Sequence, residues 1–320
     1  MVKFRDSKRE SYITLDCATC LLDSSASYLK LALNQGSNLN KGKDLSGVQA
    51  LLAQLQKDFC PETSPNEIAQ TLFHMVIDKA NIRDPWKEIR DKSNSIALEV
   101  IPAVIAQLNS IPNPKLSLIE AFVWSVVGNN LDFGTSGHQV TLHADVLREA
   151  YQKFKLQGFS INHFDEFWDL LLLHKSCLYI CDNAGEIAFD AQVIKQMKSL
   201  GIEVTVVVKG GPISNDALLD DAIQVGLDKI CPIITTGSPE LGFFPYTNSK
   251  EFLDKLNRSP LVICKGQANW EACYAYQDQL SPQIQFFNVL KLKCNVHAQL
   301  FGLPKGSNLF YHLTSTDFRS

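Results

Sequence analysis

Several things are scarce in this chain, and each scarcity removes a class of function. No apolar run reaches the length of a membrane span, so no transmembrane helix is expected. Positive charge is not in excess. Lys and Arg number 30 against 34 Asp and Glu, a formal net charge of −4, and general nucleic-acid binding needs a basic face. Residues Met1 to Glu10 are charged and contain no signal-peptide apolar region, which reads as a cytoplasmic protein. The 7 histidines are scattered without an H-x-x-x-H pair, so a histidine-based zinc site is not expected. His138 and His143, near Gly134, are the two worth testing. No G-x-G-x-x-G follows a first strand, which disfavours a dinucleotide-binding oxidoreductase.

What is present fits a folded domain. At 320 residues and 45% hydrophobic content there is room for two domains, or for one large core with an appended subdomain. Cysteines number 9, an odd count, and Cys181 and Cys264 lie inside apolar runs, so buried thiols are expected rather than disulfides. Cys17-x-x-Cys20 reads three ways: half of a zinc site, a redox pair, or two thiols at a helix start. Cys60 is a candidate third sulfur, and the structural reading is the favoured one.

The patterning divides the chain. From about residue 11 to 168 it is helical, with apolar spacing near 3.6 over 45–59, 67–77, 96–108 and 116–127, and no strand is expected. Breaks fall at Gly36-Ser-Asn, Asn81 to Pro85 and Ile111 to Pro114. From about Leu172 short β-branched runs alternate with helical stretches: Leu178–Cys181, Val204–Val208, Ile230–Thr235, Leu261–Cys264 and Ile284–Val289. That predicts a Rossmann-like, mainly parallel sheet in an α/β/α sandwich, with a helical N-terminal subdomain over 1–168 and an α/β domain over 169–320. The tail after Lys305 shows no periodicity, and no internal repeat is present.

Polar residues gather where these strands end. Leu178–Cys181 runs into Asp182-Asn183-Ala184-Gly185-Glu186, and a helix follows. The next strand ends in Lys209-Gly210-Gly211-Pro212-Ile213-Ser214-Asn215-Asp216-Ala217, and another in Lys265-Gly266-Gln267-Ala268-Asn269-Trp270-Glu271. Parallel strands bring their carboxyl ends to one rim, and ligands of open α/β sheets bind in the crevice there. Two hard oxygen ligands, Asp182 and Asn183, suit a divalent cation and an anionic substrate. Each residue also has a plainer reading. Asn183 and the Asn215-Asp216 pair are ordinary helix caps, and Asn269 and Glu271 can form one. Asp220 and Asp221 read as solvated first-turn charges, and Lys209 as readily a surface lysine as a substrate contact.

These three motifs, followed by Lys291-Leu292-Lys293-Cys294, resemble in order those of the metal-dependent damage-control phosphatases, the domain-of-unknown-function 89 family. Cys17-x-x-Cys20 and Gly128-Asn129-Asn130-Leu131-Asp132 are similar to that family's microbial branch, and the resemblance spans about Cys17 to Gly302. It implies a helical N-terminal part, a Rossmann-like α/β part and hydrolysis of small phosphorylated metabolites, such as sugar phosphates or pantetheine-related phosphates. It implies a divalent cation (Mn, Mg, Co or Ni) held by Asp182, Asn183 and Asp216. Lys265 would then hold a phosphate oxygen, with backbone N–H groups near Gly185 and Gly266 adding donors, and Glu186 would orient the attacking water. Lys209, Asn129 and Asp132 are further contacts, and one of Lys291 and Lys293 a candidate phosphate contact. Metal-activated water ranks ahead of an aspartyl-phosphate route through Asp182. The expected partner is a small metabolite, neither nucleic acid nor membrane. A methyltransferase and a non-catalytic metal-binding protein are the alternatives on the same fold.

Overall fold

The computed structural model describes residues 13–34, 45–60, 63–131 and 144–314. Asp132, His138 and His143 lie outside them.

A seven-stranded sheet organises the chain: β1 (Phe159–Asn162), β2 (Ser176–Ile180), β3 (Glu203–Val208), β4 (Ile233–Thr235), β5 (Leu261–Lys265), β6 (Gln285–Lys291) and β7 (Asn308–Leu313), in the order β1-β7-β6-β5-β2-β3-β4. Neighbours from β6 through β4 are parallel, while β7 runs antiparallel to β6 and carries β1 parallel to itself. Both faces are covered, so the central strands read as continuous apolar runs rather than alternations. On one face Cys177, Tyr179, Val206, Ile263 and Phe287 meet α4 (Lys87–Asn109), α5 (Pro114–Gly128), α6 (Ala144–Gln157), α7 (Phe164–His174) and α8 (Glu186–Ser199). On the other, Leu178, Ile180, Val262 and Phe286 meet α10 (Lys250–Arg258) and α11 (Gln267–Tyr276). Helices α4, α5 and α6 thus share a core with the sheet.

A third core lies over the carboxyl rim. It joins α1 (Leu15–Asn34), α2 (Leu45–Asp58) and α3 (Pro65–Ala80) to Ile213 and to Val296 of α12 (Asn295–Leu300). Local signals set its boundaries. Ser64 and Glu67 form a reciprocal capping box at the start of α3, Pro65 occupies the first turn, and Asn81 ends it at φ 52°. No helix among the described residues is long and apolar enough to cross a membrane.

Four expectations are corrected. The helical stretch contains β1, a short strand whose Phe159 and Ile161 alternate with Ser160 and Asn162. The tail contains β7, buried at every position, so no amphipathic period marks it. The third expected run, Ile230–Thr235, shortens to β4 because Leu227–Lys229 turns as a 3-10 helix before Pro232. Asp221 is buried rather than solvated. It accepts from the Leu218 backbone N–H at 2.8 Å, from Asn94 at 2.8 Å and from Arg90 at 3.2 Å at the head of α9 (Leu219–Gln224), while Asp220 stays exposed.

Successive strands from β2 step outward to β3 and β4, whereas β5 and β6 lie on the opposite side of β2. The crevice opens at that reversal, between the carboxyl ends of β2 and β5. The sheet's far edge is locked by aromatic packing, with Phe310 of β7 edge-on to Phe122 at 5.0 Å and to Phe164 at 5.4 Å. Phe310→Ala should therefore cost about 3–5 kcal/mol of stability in chemical denaturation. An unchanged midpoint would show that β7 is not part of the cooperative core.

Candidate active site

Backbone hydrogen bonds fasten the loop after β2 to the loop after β3. Ala217 N–H donates to Asp182 O at 2.8 Å, Ala184 N–H to Asn215 O at 2.9 Å, and Lys209 N–H to Ala217 O at 3.0 Å. Asn183 and Asp216 face each other as an isolated antiparallel bridge. Ser214 takes a left-handed φ of 48° inside this loop, a conformation that surrounding structure must hold for any residue but glycine. Asp182, Asn183 and Asp216 are thereby brought together, all of them buried at the lining of a cleft.

Two features fix the Asp182 carboxylate. Its Oδ2 accepts from Asn183 Nδ2 at 2.9 Å and from Asn129 Nδ2 at 3.1 Å. It also lies directly over Gly266, where an added Cβ would sit 2.0 Å from Oδ2. Gly266 has φ +79°, so both the close approach and the backbone conformation require glycine. Asp216 Oδ2 lies 3.5 Å from Lys209 Nζ, which also donates to Gly242 O at 2.6 Å and to Asn269 Oδ1 at 3.3 Å. Asn269 in turn spans the crevice, donating to Cys181 O at 3.0 Å and to Lys265 O at 2.8 Å.

Behind this wall is a buried ionic cluster. Lys265 Nζ donates to Glu186 Oε1 at 2.5 Å, to Asp190 Oδ1 at 2.9 Å and to the Ser125 hydroxyl. Asp190 Oδ1 also accepts from Ser125 at 2.6 Å and from Tyr179 at 2.7 Å. Asn129 Nδ2 reaches Glu186 Oε2 at 2.5 Å, so one amide joins this cluster to Asp182. Burial lowers the Lys265 amine, but Asp190 and Glu186 outweigh it and hold the group charged. Burial pushes the Glu186 carboxyl up to about 8, against the pull of Lys265, since one lysine cannot neutralise two carboxylates out of water.

The cleft itself measures about 200 Å³. Asp182, Asn183 and Asp216 form one wall, α1 and α3 another, and Lys293, Cys294 and His297 a third. Of the lysines singled out from sequence, Lys293 is the one that lines it. Lys265 and Lys209 are buried with carboxylates, and Lys291 donates to Asn130 Oδ1 at 3.0 Å. The N–H of Gly185 goes to Asn94 Oδ1 at 2.6 Å, and that of Gly266 to Val289 O at 3.1 Å. Among the described residues no three His, Cys, Asp or Glu side chains gather as a metal cluster. The oxygen set here has two carboxylates completed by the Asn183 amide, whose nitrogen is already committed to Asp182 and whose oxygen is the remaining donor. Hard oxygen donors of this kind suit Mg or Mn better than a soft ion.

All 9 cysteines are free thiols. Cys17 and Cys20 line the cleft, while Cys60 lies 3.1 Å from the Thr63 hydroxyl and does not. Sequence reasoning missed Asn94, Ser125 and Asp190, whose roles exist only once α4, α5 and α8 pack together. It also passed over Cys294-x-x-His297, although that spacing was a usable signal.

This fold and rim define an α/β protein with a carboxylate-lined cleft at its switch point. The chain belongs to the damage-control phosphatase ARMT1-like domain family, whose pattern it matches over residues 13–309. It is 32% identical over 254 residues to an uncharacterized protein of Methanocaldococcus jannaschii, covering 79% of this chain and 82% of that one. A damage-control phosphatase of Archaeoglobus fulgidus is 28% identical over 291 residues, 91% of this chain and 95% of the relative. The crystal structure of a duf89 family protein from Pyrococcus horikoshii superposes with a TM-score of 0.80 at 25% identity, covering 95% of this chain and 99% of that one.

Replacing Lys265 by Met should destabilise the protein by about 3–5 kcal/mol, because Glu186 and Asp190 would remain buried without their counter-charge. Chemical denaturation reads this directly. An unaltered midpoint would mean that the amine does not neutralise the pair.

Proposed function

We propose that this protein is a divalent-cation-dependent phosphatase acting on small phosphorylated metabolites. The observation that carries the reading is the placement of Asp182, Asn183 and Asp216 side by side on the wall of an open cleft. Membership of a phosphatase family and a relative named damage-control phosphatase support it.

Asp182, Asn183 and Asp216 would hold the cation, which when bound neutralises phosphoryl oxygens and lowers the pKa of coordinated water. Everything else is the work of this chain's own side chains. Asn129 and Gly266 keep the Asp182 carboxylate in one orientation. Lys209 balances Asp216 from behind, so the two carboxylates can stand together. Lys293, on another wall of the cleft, would offer positive charge to a phosphate. Glu186 acts at one remove, through Asn129, rather than at the cleft surface. Phosphoryl transfer asks chiefly for positioning and charge stabilisation, which is what this arrangement provides. An open cleft walled by α1 and α3 suits a small ester such as a sugar phosphate or a pantetheine-derived phosphate.

The test is phosphate release from a panel of sugar phosphates and pantetheine-related phosphates, with Mg, Mn, Co and Ni in turn. EDTA should abolish turnover, and one of these cations should restore it. Turnover that survives EDTA would sink the proposal, and cation binding without hydrolysis of any ester would leave a metal-binding protein. Asp182→Ala and Asp216→Ala should each lower turnover at least about 100-fold. Gly266→Ala should lower it more than about tenfold by displacing Asp182, while melting cooperatively. Wild-type rates in any of the three would contradict the assigned ligands.

A further inference from the structure

Cys294, His297 and Glu271 form a chain of contacts on the cleft wall that the phosphatase reading does not use. Cys294 Sγ lies 2.9 Å from His297 Nδ1, and His297 Nε2 lies 3.2 Å from Glu271 Oε1. The same sulfur accepts from the His297 backbone N–H at 3.4 Å and faces Gln267 Nε2 at 3.7 Å. Nitrogen groups therefore converge on the sulfur. The imidazole is buried, with the Trp270 ring edge-on at 5.0 Å and 85°, so its plane is fixed. Glu271 Oε2 is buried at the cleft lining with no hydrogen-bond partner among the described residues. Cys294 itself is only half-buried and opens onto the cleft. A nucleophile and a base are in contact here, and a carboxylate lies 3.2 Å behind the base.

The charges around this group set its state. Burial raises the Cys294 thiol, but His297 more than reverses this and brings it below its ordinary value. Burial lowers His297, yet Cys294 and Glu271 lift it to about 9. Asp16, Cys17 and Cys20 face the cleft from α1, Lys293 lies next to the sulfur's own residue, and Asp182 and Asp216 stand on another wall. The carboxylates oppose a thiolate and Lys293 favours it. The imidazolium in direct contact decides the balance. By contrast, burial raises the thiols of Cys17, on the cleft, and of Cys177, Cys181, Cys231 and Cys273.

We propose that Cys294 is a covalent modification site, a reactive thiolate on the cleft wall that takes small soft electrophiles such as organic disulfides. With a disulfide, the Cys294 sulfur lone pair forms a new S–S bond, the old one breaks and a thiolate departs. With iodoacetamide, an S–C bond forms, the C–I bond breaks and iodide leaves, while His297 retains its proton.

The test is limiting iodoacetamide alkylation of the full chain, mapped by peptide mass spectrometry. Cys294 should be labelled first at about pH 6, and its rate should fall less steeply than that of free N-acetylcysteine as the pH is lowered from about 8 to 6. Free N-acetylcysteine, added as an internal standard, should slow by about tenfold for each unit the pH falls, as an ordinary thiol does. His297→Gln should lower the Cys294 rate at about pH 6 by more than about tenfold, with Glu271→Gln intermediate. Should His297→Gln fail to fold, the wild-type pH profile alone decides. Cys20 labelled ahead of Cys294 at about pH 6, or a Cys294 rate that falls with pH as steeply as that of the free thiol standard, would overturn the proposal. The readout needs neither a cation nor phosphatase turnover, so it stands or falls separately from the proposed function.

Discussion

The hydrogen bonds between the loops after β2 and β3 are the constraint on which the site rests. Two carboxylates at close range repel by several kcal/mol where water is excluded, and they would separate if their backbones allowed it. Ala217 to Asp182 and Ala184 to Asn215 remove that freedom. The repulsion is then offset locally, by Asn183 and Asn129 on one carboxylate and by Lys209 on the other. A cleft wall of concentrated negative charge results, and the parallel pairing of β2 with β3 keeps it in register.

A second tier of electrostatics lies deeper. Lys265, Glu186 and Asp190 are withdrawn from solvent, yet Asn129 couples them to Asp182. The cluster sits where α5 and α8 approach so closely that a Cβ on Gly128 would meet Phe189 at 2.7 Å. Close helix packing and buried charge therefore depend on each other. The third core, built from α1, α2 and α3, does different work. It covers the rim, and its α1 and α3 supply one wall of the cleft.

Much of this could be read before any coordinates. The central strands are buried on both faces, and such strands declare themselves as unbroken β-branched runs, as in Val204–Val208. The carboxylates at their ends followed from chain order alone. β7 was invisible because His312 breaks its apolar run after three residues, while every side chain is buried. Lys265 shows the limit of reading function from type. A lysine after a strand suggests a phosphate contact, but only the packed fold reveals carboxylates on α8 waiting behind it. Cys294 and His297 lay three residues apart in plain view. Their meaning depended on Glu271, which only the packing of α11 against α12 supplies.

The central claim is that residues distant along the chain share one ion. An anomalous-difference map from crystals grown with manganese tests it most directly. A single strong peak bonded to oxygens of Asp182, Asn183 and Asp216 is the predicted result. A peak elsewhere in the cleft, or none at full manganese occupancy of the crystals' solvent, would contradict it.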